Sequence, residues 1–348
     1  MRIQSWLVGA ALTAFLLLLP AAHSISADSS LRQEQNPPAP TPGFTVRNST
    51  IYDPNGREFV ANGVNVNGFN WVWQRSTVGD VDLIVDCWNF NLIRVNSFLF
   101  TGQIQYPQFT DNNDLDAIIS TYTSRGIVVV LEAHDRIGSY YQGADLDVLV
   151  NWFTDLAARY RDNPYVWFDV MNEPGGRDGI DRDQWVNMHG RVIEAIRGTG
   201  AQNIIIVEGA YGGQDSPDDS AILRYASDIL NYNGQQYENI VFSIHPYDLW
   251  AGGSGILSSF LDHARAQELT ILIGEYAIYT DQDTRRATEA VFGSVLEREI
   301  GRVVWHWDGS DYNKLTENTT RGGGWEINDC VNPTNLSWLG QQVWAANH

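Results

Sequence analysis

Two glutamates in this chain stand where apolar runs stop. Tyr165 to Met171 is β-branched and aromatic in the manner of a sheet strand. It ends at Asn172-Glu173, and the Pro174-Gly175-Gly176 that follows admits neither further ladder pairing nor helix. A second run, Thr270 to Gly274, ends at Glu275. A carboxylic acid that protonates a leaving oxygen, working with a carboxylate that attacks or stabilises the carbon it leaves, is the machinery of glycosidic bond cleavage. An isolated Asn-Glu-Pro is equally at home in a solvated turn, so the surrounding elements must decide.

Those elements recur with a regular rhythm. Short apolar strands are expected over Ala61–Val66, Leu92–Ser97, Ile127–Glu132, Tyr165–Met171, Asn203–Glu208, Ile240–His245, Thr270–Glu275 and Arg302–Trp307. Between them lie helical patterns over Val81–Trp88, Leu115–Ser124, Leu146–Tyr160, Gln184–Arg197, Ala221–Leu230, Ile256–Ala266 and Arg285–Glu297, with a last helix near Leu336–Val343. In Leu146–Tyr160, for example, Leu146, Leu149, Val150, Phe153, Leu156 and Ala157 share one face. Eight strand–helix units predict an α/β fold closed as a (β/α)8 TIM barrel. A doubly wound open sheet is the alternative, disfavoured because no Gly-x-Gly-x-x-Gly turn follows the first strand. Phe44 to Val60 alternates around Asp53-Pro54-Asn55-Gly56 and predicts an N-terminal β-hairpin with its turn there.

In such barrels the site lies at the C-terminal strand ends, and nearly every strand here ends in a group able to hold a proton, a charge or a sugar hydroxyl. Glu173 and Glu275 would face each other across the mouth, with Asn172 donating to a sugar 2-hydroxyl. Arg94, inside the apolar Leu92-Ile93-Arg94-Val95, needs a carboxylate partner, and Glu275 is the expected one. His245 and Tyr247, two residues apart, would face the same way as positioning groups for Glu173 and Glu275. His134, after Glu132, would reach a sugar hydroxyl. Glu208 is the rival carboxylate; with Gln214 in the loop behind it, it is assigned to substrate binding. Trp305 and Trp307 end the last strand, and Trp307 is the expected floor of the sugar at the cleavage point. Trp71, Trp73 and Trp250 are loop residues placed to stack neighbouring sugars or simply to pack. Asp308 and Asp311 match no cation-loop spacing, so no metal site is predicted.

Taken in order, Arg94, His134, Asn172-Glu173, His245-x-Tyr247, Glu275 and a tryptophan on the eighth strand resemble glycoside hydrolase family 5, the cellulase and mannanase family, over Phe44 to the C-terminus. The resemblance implies a retaining double displacement with Glu173 as acid/base and Glu275 as nucleophile, and no metal or organic cofactor. Leu131-Glu132-Ala133-His134-Asp135, the Gly213-Gln214-Asp215 loop and Phe242-Ser243-Ile244-His245 are similar to the bacterial mannanase branch. The chain departs from that branch after Pro174, where an aromatic is usual, at Trp307-Asp308-Gly309, and in the tail Gly322 to Trp338. Mannan and β-1,4-glucan therefore both stay open as substrates.

The 348 residues carry a formal charge of −20, with 13 Trp and 15 Tyr. So acidic a surface repels phosphate backbones and anionic lipid, which argues against nucleic-acid and membrane-surface partners and leaves a neutral polysaccharide compatible. Residues 1–24 are built as a secretory signal: Arg2, an apolar core from Trp6 to Leu19, then Pro20 and Ala22-His23-Ser24. Residues 25–43 form a Pro/Ser-rich linker, and residues 44–348 the catalytic barrel. A secreted monomer is expected. Export permits a Cys87–Cys330 disulfide, but Cys87, late in a helix, and Cys330, in a loop after the last strand, are expected at opposite ends of the fold, which disfavours the pairing and leaves it open. The expected function is an exported retaining endo-β-1,4-glycanase. An exo-acting β-glycosidase and a non-catalytic carbohydrate-binding barrel are the alternatives.

Overall fold

The computed structural model describes residues 43–68, 77–99, 113–279, 281–310, 313–317 and 321–348. The signal-like segment, nearly all of the linker, Trp71, Trp73 and Asp311 lie outside them.

A small antiparallel sheet opens the chain, β1 (Thr45–Arg47) paired with β2 (Thr50–Tyr52). The hairpin turn is at Asn48-Ser49, both at positive φ, and not at Asp53–Gly56 as expected. Asp53 instead closes a second turn: Oδ1 accepts from the backbone N–H of Asn55 and of Arg57, and a bridge from Tyr52 to Glu58 follows. A side-chain acceptor at the first position makes Asp-Pro-Asn-Gly a turn sequence wherever it sits, but it does not dictate which turn joins the paired strands.

Eight parallel strands then close a barrel: β3 (Asn62–Asn67), β4 (Leu92–Ser97), β5 (Val128–Ala133), β6 (Val166–Asp169), β7 (Ile205–Glu208), β8 (Ile240–Ile244), β9 (Ile271–Ile273) and β10 (Gly301–Val304), with β10 returning to pair with β3. Closure excludes the open doubly wound sheet. Around it run α1 (Asn113–Thr123), α2 (Gly143–Tyr160), α3 (Arg182–Gly198), α4 (Ala221–Leu230), α5 (Ser254–Ala266), α6 (Gln282–Val295) and α7 (Trp338–Asn347). The helix expected over Val81–Trp88 is a 3-10 turn at Val78–Asp80 followed by a π-helical turn at Leu83–Cys87. Side-chain caps set several helix starts: Asp181, Ser220, Asp281 and Ser337 each accept a backbone N–H of the first turn.

The core has two layers, and period-two alternation separates them. One set of strand residues faces the helices. The other, with Leu92, Val130, Trp167, Ile206, Val241, Leu272 and Val303, fills the barrel. The N-terminal hairpin closes the bottom of that interior, where Phe44 and Phe59 meet the Trp167 ring edge-on at 5.2 and 5.8 Å. Two residues further along five of these strands the buried positions turn polar: Arg94 after Leu92, Glu132 after Val130, Asp169 after Trp167, Glu208 after Ile206, Ser243 after Val241. This change of layer sets the height of the site.

Cys87 and Cys330 are bonded, with Cα atoms 5.0 Å apart, and so do not lie at opposite ends of the fold as expected. Because β10 closes against β3, the tail after β10 folds back beside the β3–β4 connection. There Trp88 Nε1 donates to the carbonyl of Gly324 (2.9 Å) and Asn347 Nδ2 to that of Trp88 (2.8 Å).

Candidate active site

At the floor of the mouth Arg94 is fully buried and uses every N–H it has. Nε donates to Asp169 Oδ2 (2.9 Å), Nη1 to Asn65 Oδ1 and Glu275 Oε1 (3.0 Å each), and Nη2 to Asn172 Oδ1 (2.9 Å) and Glu208 Oε1 (2.7 Å). Burial alone would lower its pKa, but the charges of Glu132, Asp169, Glu208 and Glu275 outweigh it and raise the pKa well above the ordinary value. The expected Arg94–Glu275 pair is present as one of several. The planar fork fits this role because its five donors leave in fixed directions, so one side chain orients five groups from four strand ends.

Above it stand the two glutamates. Glu173 is at positive φ (51°), its backbone N–H donates to Glu208 Oε2 (2.7 Å), and its side chain is 19% exposed against 4% for Glu275. A carboxylate oxygen of Glu173, one of Glu275 and a ring nitrogen of His245 all lie within 4.8 Å of one another. Tyr247 donates its hydroxyl to Glu275 Oε2 (2.8 Å). Burial raises Glu275 above the usual carboxylate value; His245 and Arg94 pull it down, and the charge of Glu173 adds to the rise.

His245 sits among three carboxylates, Nδ1 3.2 Å from Glu173 and 3.6 Å from Glu275, Nε2 3.2 Å from Glu208. Burial opposes its charge, but Glu208 and Glu275 more than compensate, and its pKa rises well above the usual histidine value. Gly274 makes the space: a Cβ there would stand 2.3 Å from Ser243 Oγ and 2.9 Å from His245 Nε2. Glu208 shifts the other way, because His245 and Arg94 overcome its burial and lower its pKa. His134 Nδ1 lies 2.7 Å from Glu132 Oε1, which also accepts from Asn96 Nδ2 (2.6 Å). The Trp305 ring lies parallel to the His134 ring, 5.5 Å centroid to centroid and 9° between planes.

Four assignments change. Trp307 is only 2% exposed; its Nε1 donates to Asp80 Oδ2 (2.9 Å) and its ring meets Trp88 edge-on, so it belongs to the core and cannot floor a sugar. Among the described residues, the partly exposed Trp305, stacked on His134, is the tryptophan at the mouth. Trp250 is buried against Phe260, with Nε1 donating to the carbonyl of Gln214. Gln214 is buried too, tied to Asp248 Oδ1 (2.9 Å) and to the N–H of Leu249 (3.1 Å). Glu208 lies under Glu173 with no exposed surface, where it holds other groups and cannot touch substrate.

Asp169 was not anticipated. It anchors Arg94 Nε from the inward position two residues after Trp167, the same alternation that exposes Glu132 and Glu208 as members of the polar layer. The Arg177–Asp248 pair was also missed. It bridges the loops after β6 and β8 through two parallel bonds of 2.7 and 2.8 Å, and both residues line a cleft of about 690 Å³ beside Glu173.

Known proteins resemble this chain in sequence and in fold. The chain is 27% identical over 278 residues to a mannan endo-1,4-beta-mannosidase of Cellvibrio japonicus, spanning 78% of this chain and 60% of that protein. It is also 27% identical over 281 residues to the enzyme of the same name from Salipaludibacillus agaradhaerens, spanning 79% and 86%. A solved β-mannanase from Thermomonospora fusca superposes with a TM-score of 0.67 at 24% identity, over 87% of this chain and 94% of that one, which supports the barrel fold. The family model described as Cellulase (glycosyl hydrolase family 5) matches residues 52–311, so the chain belongs to glycosyl hydrolase family 5.

Proposed function

We propose that this chain is an exported, retaining endo-β-1,4-glycanase that cleaves polysaccharide by double displacement, with mannan as its first substrate. The observation that carries the reading is the close approach of Glu173 and Glu275, oxygens within 4.8 Å. Retaining enzymes hold their carboxyl groups about 5–5.5 Å apart, whereas inverting ones need about 6.5–9.5 Å to admit a water. Relatives named as mannan endo-1,4-beta-mannosidases support mannan. The family model's description, Cellulase, supports β-1,4-glucan as the second substrate.

Glu173, the more exposed of the two, protonates the leaving oxygen while Glu275 attacks the anomeric carbon. Arg94 and Tyr247 each donate into one Glu275 oxygen, which favours the ionised form the attack requires. Arg94 holds Asn172 by Oδ1, so the amide nitrogen, without a protein partner among the described residues, is directed to a sugar hydroxyl. Trp305 offers an aromatic face at the cleavage point. Glu173, now a carboxylate, then takes a proton from the water that releases the sugar. The signal-like leader and the disulfide support export.

Glu173→Ala is expected to turn over an activated aryl glycoside slowly, with azide accelerating the reaction and giving a β-glycosyl azide. An α-glycosyl azide, or wild-type activity in the variant, would overturn the assignment. Reducing-sugar release from galactomannan, glucomannan and carboxymethylcellulose side by side decides the substrate. A fall in viscosity before much sugar is freed supports internal cleavage.

A further inference from the structure

At the end of the barrel opposite Glu173, three hydroxyls are buried without a partner. Thr45 Oγ1 in β1, Tyr237 Oη in the loop before β8 and Thr270 Oγ1 just before β9 make no hydrogen bond among the described residues. Tyr237 and Thr270 are only 6% and 4% exposed. A buried hydroxyl left unpaired destabilises the fold, because nothing replaces the water it gave up. All three line a single hollow of about 430 Å³ between the N-terminal hairpin and the loops that lead into β8 and β9. Sites for small molecules run to about 300–1,000 Å³.

Hydrogen bonds hold the walls of this hollow in place. Asn239 Oδ1 accepts the N–H of Val46 (3.0 Å) while its Nδ2 donates to the carbonyl of Gln202 (3.0 Å), which pins the hairpin to the loop before β8. Arg197, from α3, donates through Nη2 to the carbonyl of Glu238 (2.8 Å) and holds the same loop from the other side. Phe242 and Leu269 supply an apolar wall, and the exposed Glu238 and Glu268 stand at the rim.

These groups select a chemistry. Hydroxyls both donate and accept, carboxylates accept from hydroxyls and repel anions, and an apolar wall takes a face made of C–H groups. Arg47, the one cation among the described lining residues, lies over the Tyr52 ring at 5.0 Å. A pyranose ring, with C–H groups on its faces and hydroxyls around its edge, meets all of these conditions. Such a sugar is not the one being cleaved, because Glu173 and Glu275 stand at the other ends of the strands.

Resting on the reading of this chain as a polysaccharide-cleaving enzyme, we infer that the hollow is a second carbohydrate site. It holds one sugar unit of a polysaccharide chain at the N-terminal end of the barrel and so keeps the enzyme on the polymer while the active site works.

The test uses the full-length protein carrying Glu275→Ala, titrated calorimetrically with β-1,4-linked mannohexaose and with cellohexaose. Two equivalents of one of these sugars are expected to bind. Adding Tyr237→Phe with Thr270→Val keeps the shape of the hollow and removes two hydroxyls; it should weaken the second equivalent about tenfold and leave the first unchanged. In the active enzyme the same pair of changes should leave kcat/KM on a soluble oligosaccharide unaltered and lower binding to insoluble mannan or cellulose about tenfold. Its melting temperature without sugar should not fall, since the groups removed were unpaired. If it does fall, Glu268→Ala, a change at an exposed site, decides by the same weakening of the second equivalent. A single equivalent, or two that neither variant affects, overturns the inference alone. A wild type that releases no reducing sugar from either polymer overturns the glycanase reading, while the count of bound sugars still decides this site.

Discussion

Arg94 is the residue on which the site depends, since its five N–H groups reach Asp169, Asn65, Glu275, Asn172 and Glu208 at once. Its one contact with Glu275 is matched by Tyr247 on the other oxygen, and that contact is separable. Tyr247→Phe keeps the ring and removes the 2.8 Å bond to Glu275. A hydrogen bond to a charged group is worth about 1.5–3 kcal/mol, so kcat/KM should fall by roughly ten- to a hundredfold. The lost donor had favoured the ionised carboxylate, so the acid limb of the pH profile should also move to higher pH. A variant with an unmoved acid limb would mean that Tyr247 does not hold Glu275. Arg94, Asn172, Glu173, His245, Tyr247 and Glu275 were legible because polar groups at the ends of apolar runs have few structural uses. Trp307 differs from expectation because the strand expected over Arg302–Trp307 ends at Val304, so strand alternation no longer sets where Trp307 points.

At the scale of elements, strand number and order were legible from apolar runs with helices between them. Strand ends were less so. Tyr165–Met171 was expected where the ladder covers only Val166–Asp169, and Thr270–Glu275 where it covers Ile271–Ile273. Apolarity continues past the last paired residue because the residues beyond it remain buried, as Val170 and Met171 do. The C-terminal segment shows the converse. Its attachment to the β3–β4 connection runs through Cys87–Cys330, Trp88 and Asn347. Reduction, or Cys330→Ser, is expected to lower unfolding stability by about 2–4 kcal/mol while the barrel stays folded. Chemical denaturation with and without reductant measures this, and coincident curves would show that the tail is held without the disulfide.

For the whole molecule, burial of charge shapes the response to pH. Burial raises Asp215 from 3.8 to about 7 despite hydrogen bonds from Ser220 and Ala221, and His245 is raised well above its usual value. Both groups bind a proton more tightly when folded. Their contribution is complete below their unfolded pKa values and is lost as pH rises through the folded ones. Asp248 is opposite: Arg177 holds it down at about 2, so its contribution is present above its unfolded value of 3.8 and is lost only as pH falls toward 2. Self-repulsion of a chain with formal charge −20 also grows as carboxylates ionise. The melting temperature should therefore be higher at pH 5 than at pH 8, and Asp215→Asn should narrow the gap. The reverse order in a calorimetric scan would contradict the buried-charge account.

The sequence by itself determined the eight-unit barrel, the two glutamates and most of their supports, because these follow from local patterns: period-two strands, helical faces, and polar residues where apolar runs stop. Tertiary structure alone decided that Cys87 meets Cys330, that Trp305 and not Trp307 reaches the mouth, that Glu208 lies beneath Glu173, and that Arg177 pairs with Asp248. Each of these depends on ring closure and on how loops from separate strands meet, and no spacing along one chain segment encodes the distance between two others.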